Sequence, residues 1–142
     1  YVNGNAYGTT KKSVEEARTR GKNVILDVDT IGAMKIRALC PDATLIYILP
    51  PSWDELKSRL SSTGIYTEEE VNALMEIAEE EISCANSYDY ILVNDTISNT
   101  LSRFAQIIHS NRYSRNCMKE FLDSYIDGEV KPHVQSYKEA LL

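Results

Sequence analysis

The sequence predicts an α/β protein with a parallel sheet flanked by helices, and three observations predict it. Short, unbroken apolar runs stand at 23–28, 45–49 and 90–93. They are too short for helices and lack the polar alternation of half-exposed strands, so they read as strands covered on both faces. The stretches between them carry apolar residues at helical spacing, and strand–helix alternation is the pattern of parallel crossover units.

Taken in order, Asn3-Gly4-Asn5 is a turn signal. A charged helix follows at 11–20, with Thr10 as its N-cap and Gly21 placed to end it. After the 23–28 strand comes a helix at 31–40, stopped by Pro41. The 45–49 strand ends at Pro50-Pro51, and Ser52 caps a helix reaching about 61. Gly64 breaks the pattern. Thr67 then caps a long helix over 68–86 that opens Glu68-Glu69-Glu70, acids where the helix dipole favours them. The third strand closes at Asn94-Asp95, and an amphipathic helix covers 97–109. Beyond it the chain is more polar, with weaker helical stretches at 118–126 and 134–142.

Composition narrows the classes. The chain has 142 residues, a net charge of −6 and 43% hydrophobic residues, values of an ordinary globular domain. An acidic chain offers phosphate backbones no general attraction, so no nucleic-acid partner is expected. No window approaches the roughly 20 apolar residues of a membrane span, and no secretory leader opens the chain, so a cytoplasmic protein is expected. Cys40, Cys84 and Cys117 match no metal or disulfide spacing and read as reduced thiols. The chain opens at Tyr1 without a methionine, inside a pattern that already looks folded, and so reads as a piece of something longer.

Asp27 and Asp29 stand at the end of the first predicted strand, spaced i, i+2 and so on one side of it. The carboxyl edge of a parallel sheet is where ligands bind. Two acids there either hold Mg2+ through water, accept hydrogen bonds from a base, or are solvated loop acids.

Five segments in order resemble the guanylate kinase family. The run from Lys22 to Gly32 resembles its strand ending L-D-hydrophobic-D-x-x-G. Ile46-Tyr-Ile-Leu-Pro-Pro-Ser52 with Leu56-Lys-Ser-Arg-Leu60 resembles F-I-x-P-P-S-x-x-x-L-x-x-R-L. Thr67-Glu-Glu-Glu-Val71 is similar to the start of its lid helix, Tyr88 to Asp95 to its last core strand, and Tyr7-Gly8-Thr9-Thr10 to its Y-G-T/S segment. The resemblance covers about 5–108. It implies a P-loop nucleoside monophosphate kinase-like sheet, incomplete at the N-terminus, with the guanylate-kinase-like part over 1–110, its lid about 59–80, and a helical extension over 111–142.

The resemblance also implies roles. Tyr7 would hydrogen-bond the GMP phosphate, Thr9 would contact the guanine edge, and Asp29 would read guanine's amino and imino hydrogens. A carboxylate suits that edge because it only accepts. Asp27 would stand near Mg2+, which enters with ATP. Arg59 would reach the transferring phosphates, and Asn94 and Asp95 would line the adenine side of the ATP site.

Two departures matter. No G-x-x-x-x-G-K-[ST] loop occurs in the chain. Where the family lid carries R-L-x-x-R-G and then K-R, this chain has Arg59-Leu-Ser-Ser-Thr63-Gly64 and Ala73-Leu74. Arg59 is the only basic residue between Lys57 and Arg103. Phosphoryl transfer depends on positioning and on cations at the transferring group, and losing one such arginine lowers the rate by about 10³-fold or more. Two readings follow. The chain is a catalytically impaired module that binds nucleotide or protein within a larger protein, its location set by that parent, cytoskeletal attachment included; the region 111–142 would be its contact with a protein partner. Alternatively it is an active kinase transferring phosphate from ATP to GMP.

Overall fold

The computed structural model describes residues 9–128. Six α-helices and two strands follow one another: α1 (Lys11–Thr19), α2 (Thr30–Leu39), β1 (Ile46–Leu49), α3 (Trp53–Ser62), α4 (Glu68–Ile82), a 3-10 turn at Ser83–Ser87, β2 (Tyr90–Val93), α5 (Ile97–Asn111) and α6 (Lys119–Ile126). The mixed α/β class with a parallel sheet is what the sequence predicts.

The helices begin where hydroxyls can satisfy their unpaired N–H groups. Thr10, Ser52, Thr67 and Thr96 each accept a hydrogen bond from the backbone N–H three residues on. At α4 the arrangement is reciprocal, since Glu70 also accepts from the Thr67 backbone N–H at 2.8 Å. Gly21 follows α1 at φ +72°, a left-handed conformation in which glycine is at home.

β1 and β2 pair in parallel, with Ile46 beside Tyr90, Tyr47 beside Ile91, Ile48 beside Leu92 and Leu49 beside Val93. The ladder continues at both ends, where the N–H groups of Asp89 and Tyr90 reach the Leu45 carbonyl and that of Asn94 reaches Leu49. The chain between the two strands supplies the helical crossover, α3 and α4.

Two expectations are corrected. Residues 23–28 do not form a strand, because no ladder partner runs beside them among the described residues. The same-side argument for Asp27 and Asp29 therefore loses its basis. Nor are the two strands covered on both faces: Leu92 is buried, but Ile48 and Ile91 are 55% and 56% exposed. A sheet of two strands with few covering layers cannot bury both faces. The buried core is correspondingly small, made of Ala33, Leu45, Val71, Ala85 and Leu92. Tyr7, the turn expected at 3–5 and the helical stretch expected at 134–142 lie outside the described residues.

Candidate functional site

Parallel pairing brings the carboxyl ends of β1 and β2 to one edge. From there Pro50-Pro51 leads into α3 and Asn94-Asp95 leads into α5, so two helix N-termini start at the edge. This is the edge where α/β sheets place ligands, and helix N-termini favour anions.

Two arginines grip the turn after β2. Arg59 donates from Nε to Glu55 Oε1 at 2.7 Å, and from Nη2 to the carbonyls of Asn94 and Asp95 at 3.1 and 3.3 Å. Arg103 donates from Nη1 to the Val93 carbonyl at 3.1 Å and from Nη2 to Asp95 Oδ2 at 3.0 Å. Three successive carbonyls, at Val93, Asn94 and Asp95, thus face two guanidinium groups. The side chains of the turn are engaged as well. Asn94 Oδ1 accepts from Thr100 Oγ1, and Asp95 accepts from the Thr96 N–H at 2.6 Å and from Asn99 Nδ2.

A second group forms around Asp29, the N-cap of α2. Its Oδ1 accepts from the Gly32 N–H at 2.6 Å. Gly32 is a glycine for a local reason: a Cβ there would lie 2.9 Å from that oxygen and 3.1 Å from the Val28 Cβ, displacing the cap. Thr30, the next residue, donates its hydroxyl to Glu81 Oε1 near the end of α4, at 3.2 Å. Tyr47 and Tyr88 meet edge-on beside Glu81, ring centroids 5.0 Å apart. Burial, with Glu81 adding to it, pushes both phenols above their ordinary pKa. A shallow groove of 430 Å³ runs along α2 between Thr30, Ile31, Met34, Lys35, Ala38 and Cys84. None of Asp27, Asp29, Arg59, Asn94 and Asp95 lines it.

The structure therefore brings Arg59, Asn94 and Asp95 into direct contact, and places Asp29 in a separate cluster. Thr9 is exposed beside the α1 cap, and Asp27 is exposed on the segment leading to Asp29. Among the described residues no group of three or more His, Cys, Asp or Glu side chains is placed to hold a metal. Sequence reasoning missed Glu55, Arg103 and Glu81. Glu55 and Arg59 are spaced i, i+4 on α3, a signal that was available. Arg103 carries no local signal. Of the changed lid positions, Thr63 Oγ1 donates to the Leu60 carbonyl at the end of α3, Ala73 is exposed, and Leu74 is half-buried on α4.

Two carboxylates here predict a pH response. The Thr96 N–H, with help from Arg103 and Asn99, holds Asp95 below the usual carboxylate range, and Thr67 does the same for Glu70. A depressed folded pKa gives stability that is present above the unfolded value of about 4 and lost as pH falls through the folded one. Melting temperature is expected to drop as pH falls below about 4, and to drop less in a D95N/E70Q double variant. Parallel profiles for the two proteins would show that neither carboxylate contributes.

Comparison with known proteins shows the family of the chain. The family model for guanylate kinase matches residues 1–111. A guanylate kinase of Clostridium acetobutylicum is 39% identical over 137 residues, 96% of this chain and 64% of the relative. One from Halalkalibacterium halodurans is 35% identical over 126 residues, 89% of the chain and 62% of the relative. One from Francisella tularensis subsp. tularensis is 44% identical over 108 residues, 75% and 57%. The chain thus spans less than two thirds of the length of these curated relatives. With a family match over more than three quarters of its length, the chain belongs to the guanylate kinase family.

Proposed function

We propose that this chain is a guanylate-kinase-like module that binds GMP through Asp29 and is impaired in phosphoryl transfer, serving as a nucleotide- or protein-binding part of a larger cytoplasmic protein. The observation that carries the reading is the state of the lid. Arg59 is engaged by Glu55 and two carbonyls, Thr63 spends its hydroxyl on a helix end, and a half-buried Leu74 stands where the family has a cation. Transfer needs cations at the transferring group, and these three positions supply one, already occupied.

In this reading the acceptor-only carboxylate of Asp29 meets the donors of the guanine edge, and Tyr7 and Thr9 complete the GMP side. Asn94 and Asp95 shape the adenine side through the turn that Arg59 and Arg103 hold. Asp27, a single exposed carboxylate, fits a magnesium ion held mainly by water and nucleotide phosphates, as that ion prefers. Magnesium would neutralise phosphate charge when ATP is bound. Residues 1–110 form the kinase-like domain, with the lid at about 59–80, and 111–142 an extension toward a protein partner. Its helix α6 leaves Leu122, Tyr125 and Ile126 exposed. No described helix is long and apolar enough to cross a membrane.

The second reading, an active kinase transferring phosphate from ATP to GMP, is favoured by the relatives, which bear the name guanylate kinase, and by the presence of Asp29. Calorimetry with GMP on this chain, and a coupled ADP-release assay with ATP, Mg2+ and GMP on the larger protein rather than on this chain, which carries no G-x-x-x-x-G-K-[ST] loop to hold ATP, separate the two. Binding is expected, with turnover well below the ordinary kinase range of about 1–100 s⁻¹. Turnover within that range would establish the second reading, and absence of GMP binding would sink the first.

A further inference from the structure

Helix α2 is held to the rest of the molecule by little apolar contact. Ala33 is its one buried residue, while Ile31 and Leu39 are 65% and 87% exposed. Among the described residues, two side-chain hydrogen bonds tie it to distant parts of the chain. At its carboxyl end Arg37 Nη2 donates to Asp89 Oδ2 at 2.6 Å, and Asp89 in turn accepts from the Leu45 N–H. At its amino end the tie is the Thr30 hydroxyl on Glu81, across 51 residues and partly buried. Asp29 caps α2 and is bonded to Gly32 inside it, so Asp29 goes where that end of the helix goes.

We propose that Glu81 is the positioning residue for the base-reading carboxylate: by accepting the Thr30 hydroxyl it moors the amino end of α2 and fixes where Asp29 is presented. This rests on the reading that Asp29 meets guanine. It also makes the end of α4 part of the monophosphate site, since the helix that leads from the lid sets the register of the acid. A carboxylate aimed at two donors on a planar base loses alignment with small rotations, so a loosened α2 weakens discrimination without removing any group that touches the ligand.

The test uses the whole chain with GMP and IMP, which lacks the 2-amino donor, as calorimetric probes, and amide hydrogen exchange at Gly32 as a direct readout of the moored cap. E81A and T30V are each expected to lower the GMP-over-IMP preference by roughly two- to tenfold, the scale of one hydrogen bond, and to speed exchange at Gly32. E81Q keeps an acceptor oxygen for Thr30 and is expected to restore both. A merely structural loss would weaken both ligands equally and leave their ratio unchanged, which overturns the proposal, as does an E81A chain with wild-type preference and a protected Gly32. The two failures are distinguishable. A wild-type chain that does not distinguish GMP from IMP overturns the role of Asp29 and the inference with it. A wild type that does, with E81A and T30V unchanged, overturns the mooring alone.

Discussion

Arg59→Ala is expected to destabilise the chain by about 1.5–3 kcal/mol, the range for hydrogen bonds made by a charged group. The ion pair with Glu55 contributes the smaller share. Both side chains are more than a third exposed, 38% and 44%, and an i, i+4 surface pair stabilises by only about 0.3–0.5 kcal/mol. The larger share lies in the carbonyls of Asn94 and Asp95, which Arg59 Nη2 ties to α3 across 35 and 36 residues. Lysine cannot restore this, because its compact ammonium lacks the planar fork that reaches Glu55 and the turn together, so Arg59→Lys should recover less than half of the loss. Arg103 holds the preceding carbonyl and the Asp95 carboxylate of the same turn. The double variant R59A/R103A is therefore expected to deviate from additivity by at least about 0.5 kcal/mol, as neighbours in one network do. Thermal or urea melts of the four proteins measure this. Unchanged melts for R59A would mean that the arginine is free for the phosphates, and the active-kinase reading would gain its cation back.

The parts of this architecture that were legible in the sequence are those decided locally. Thr10, Ser52 and Thr67 cap the helices they precede because a hydroxyl three residues ahead of an N–H is enough to satisfy it. The apolar runs ending at Leu49 and Val93 are strands because each finds the other. The run at 23–28 has the same composition and is not one, since a strand exists only through a neighbour and no sequence window reports who the neighbour is. The same limit hid the contacts of Arg59. Its type and place fitted a phosphate ligand, while two of its partners, the carbonyls of Asn94 and Asp95, lie on a turn 35 and 36 residues away. Asp29 is the instructive case. An aspartate before Thr30 and the helix that follows is a cap signal, yet with a strand expected before it the same residue read as a strand-end acid.

That double identity makes Asp29 the residue whose substitutions say most, because asparagine and alanine divide its two roles. Asparagine caps helices about as well as aspartate, so D29N should keep the bond to the Gly32 N–H and hold stability within about 0.5 kcal/mol. Its amide, however, places an NH2 donor where the guanine edge also donates. Losing one partner of a buried charged hydrogen-bonded pair costs about 2–5 kcal/mol, and a more open site should show the lower end, so GMP affinity is expected to fall by about 30-fold. Alanine removes both functions: D29A should lose that affinity and a further 0.5–2 kcal/mol of stability, the usual range of about 1 kcal/mol for a lost cap. Calorimetry with GMP and thermal melts on the two variants give the four values. Normal stability with weakened binding in D29N assigns the carboxylate to the base. D29N that binds GMP as tightly as the wild type, beside a destabilised D29A, would leave Asp29 as the cap of α2 alone and take the guanine-reading role away from this helix.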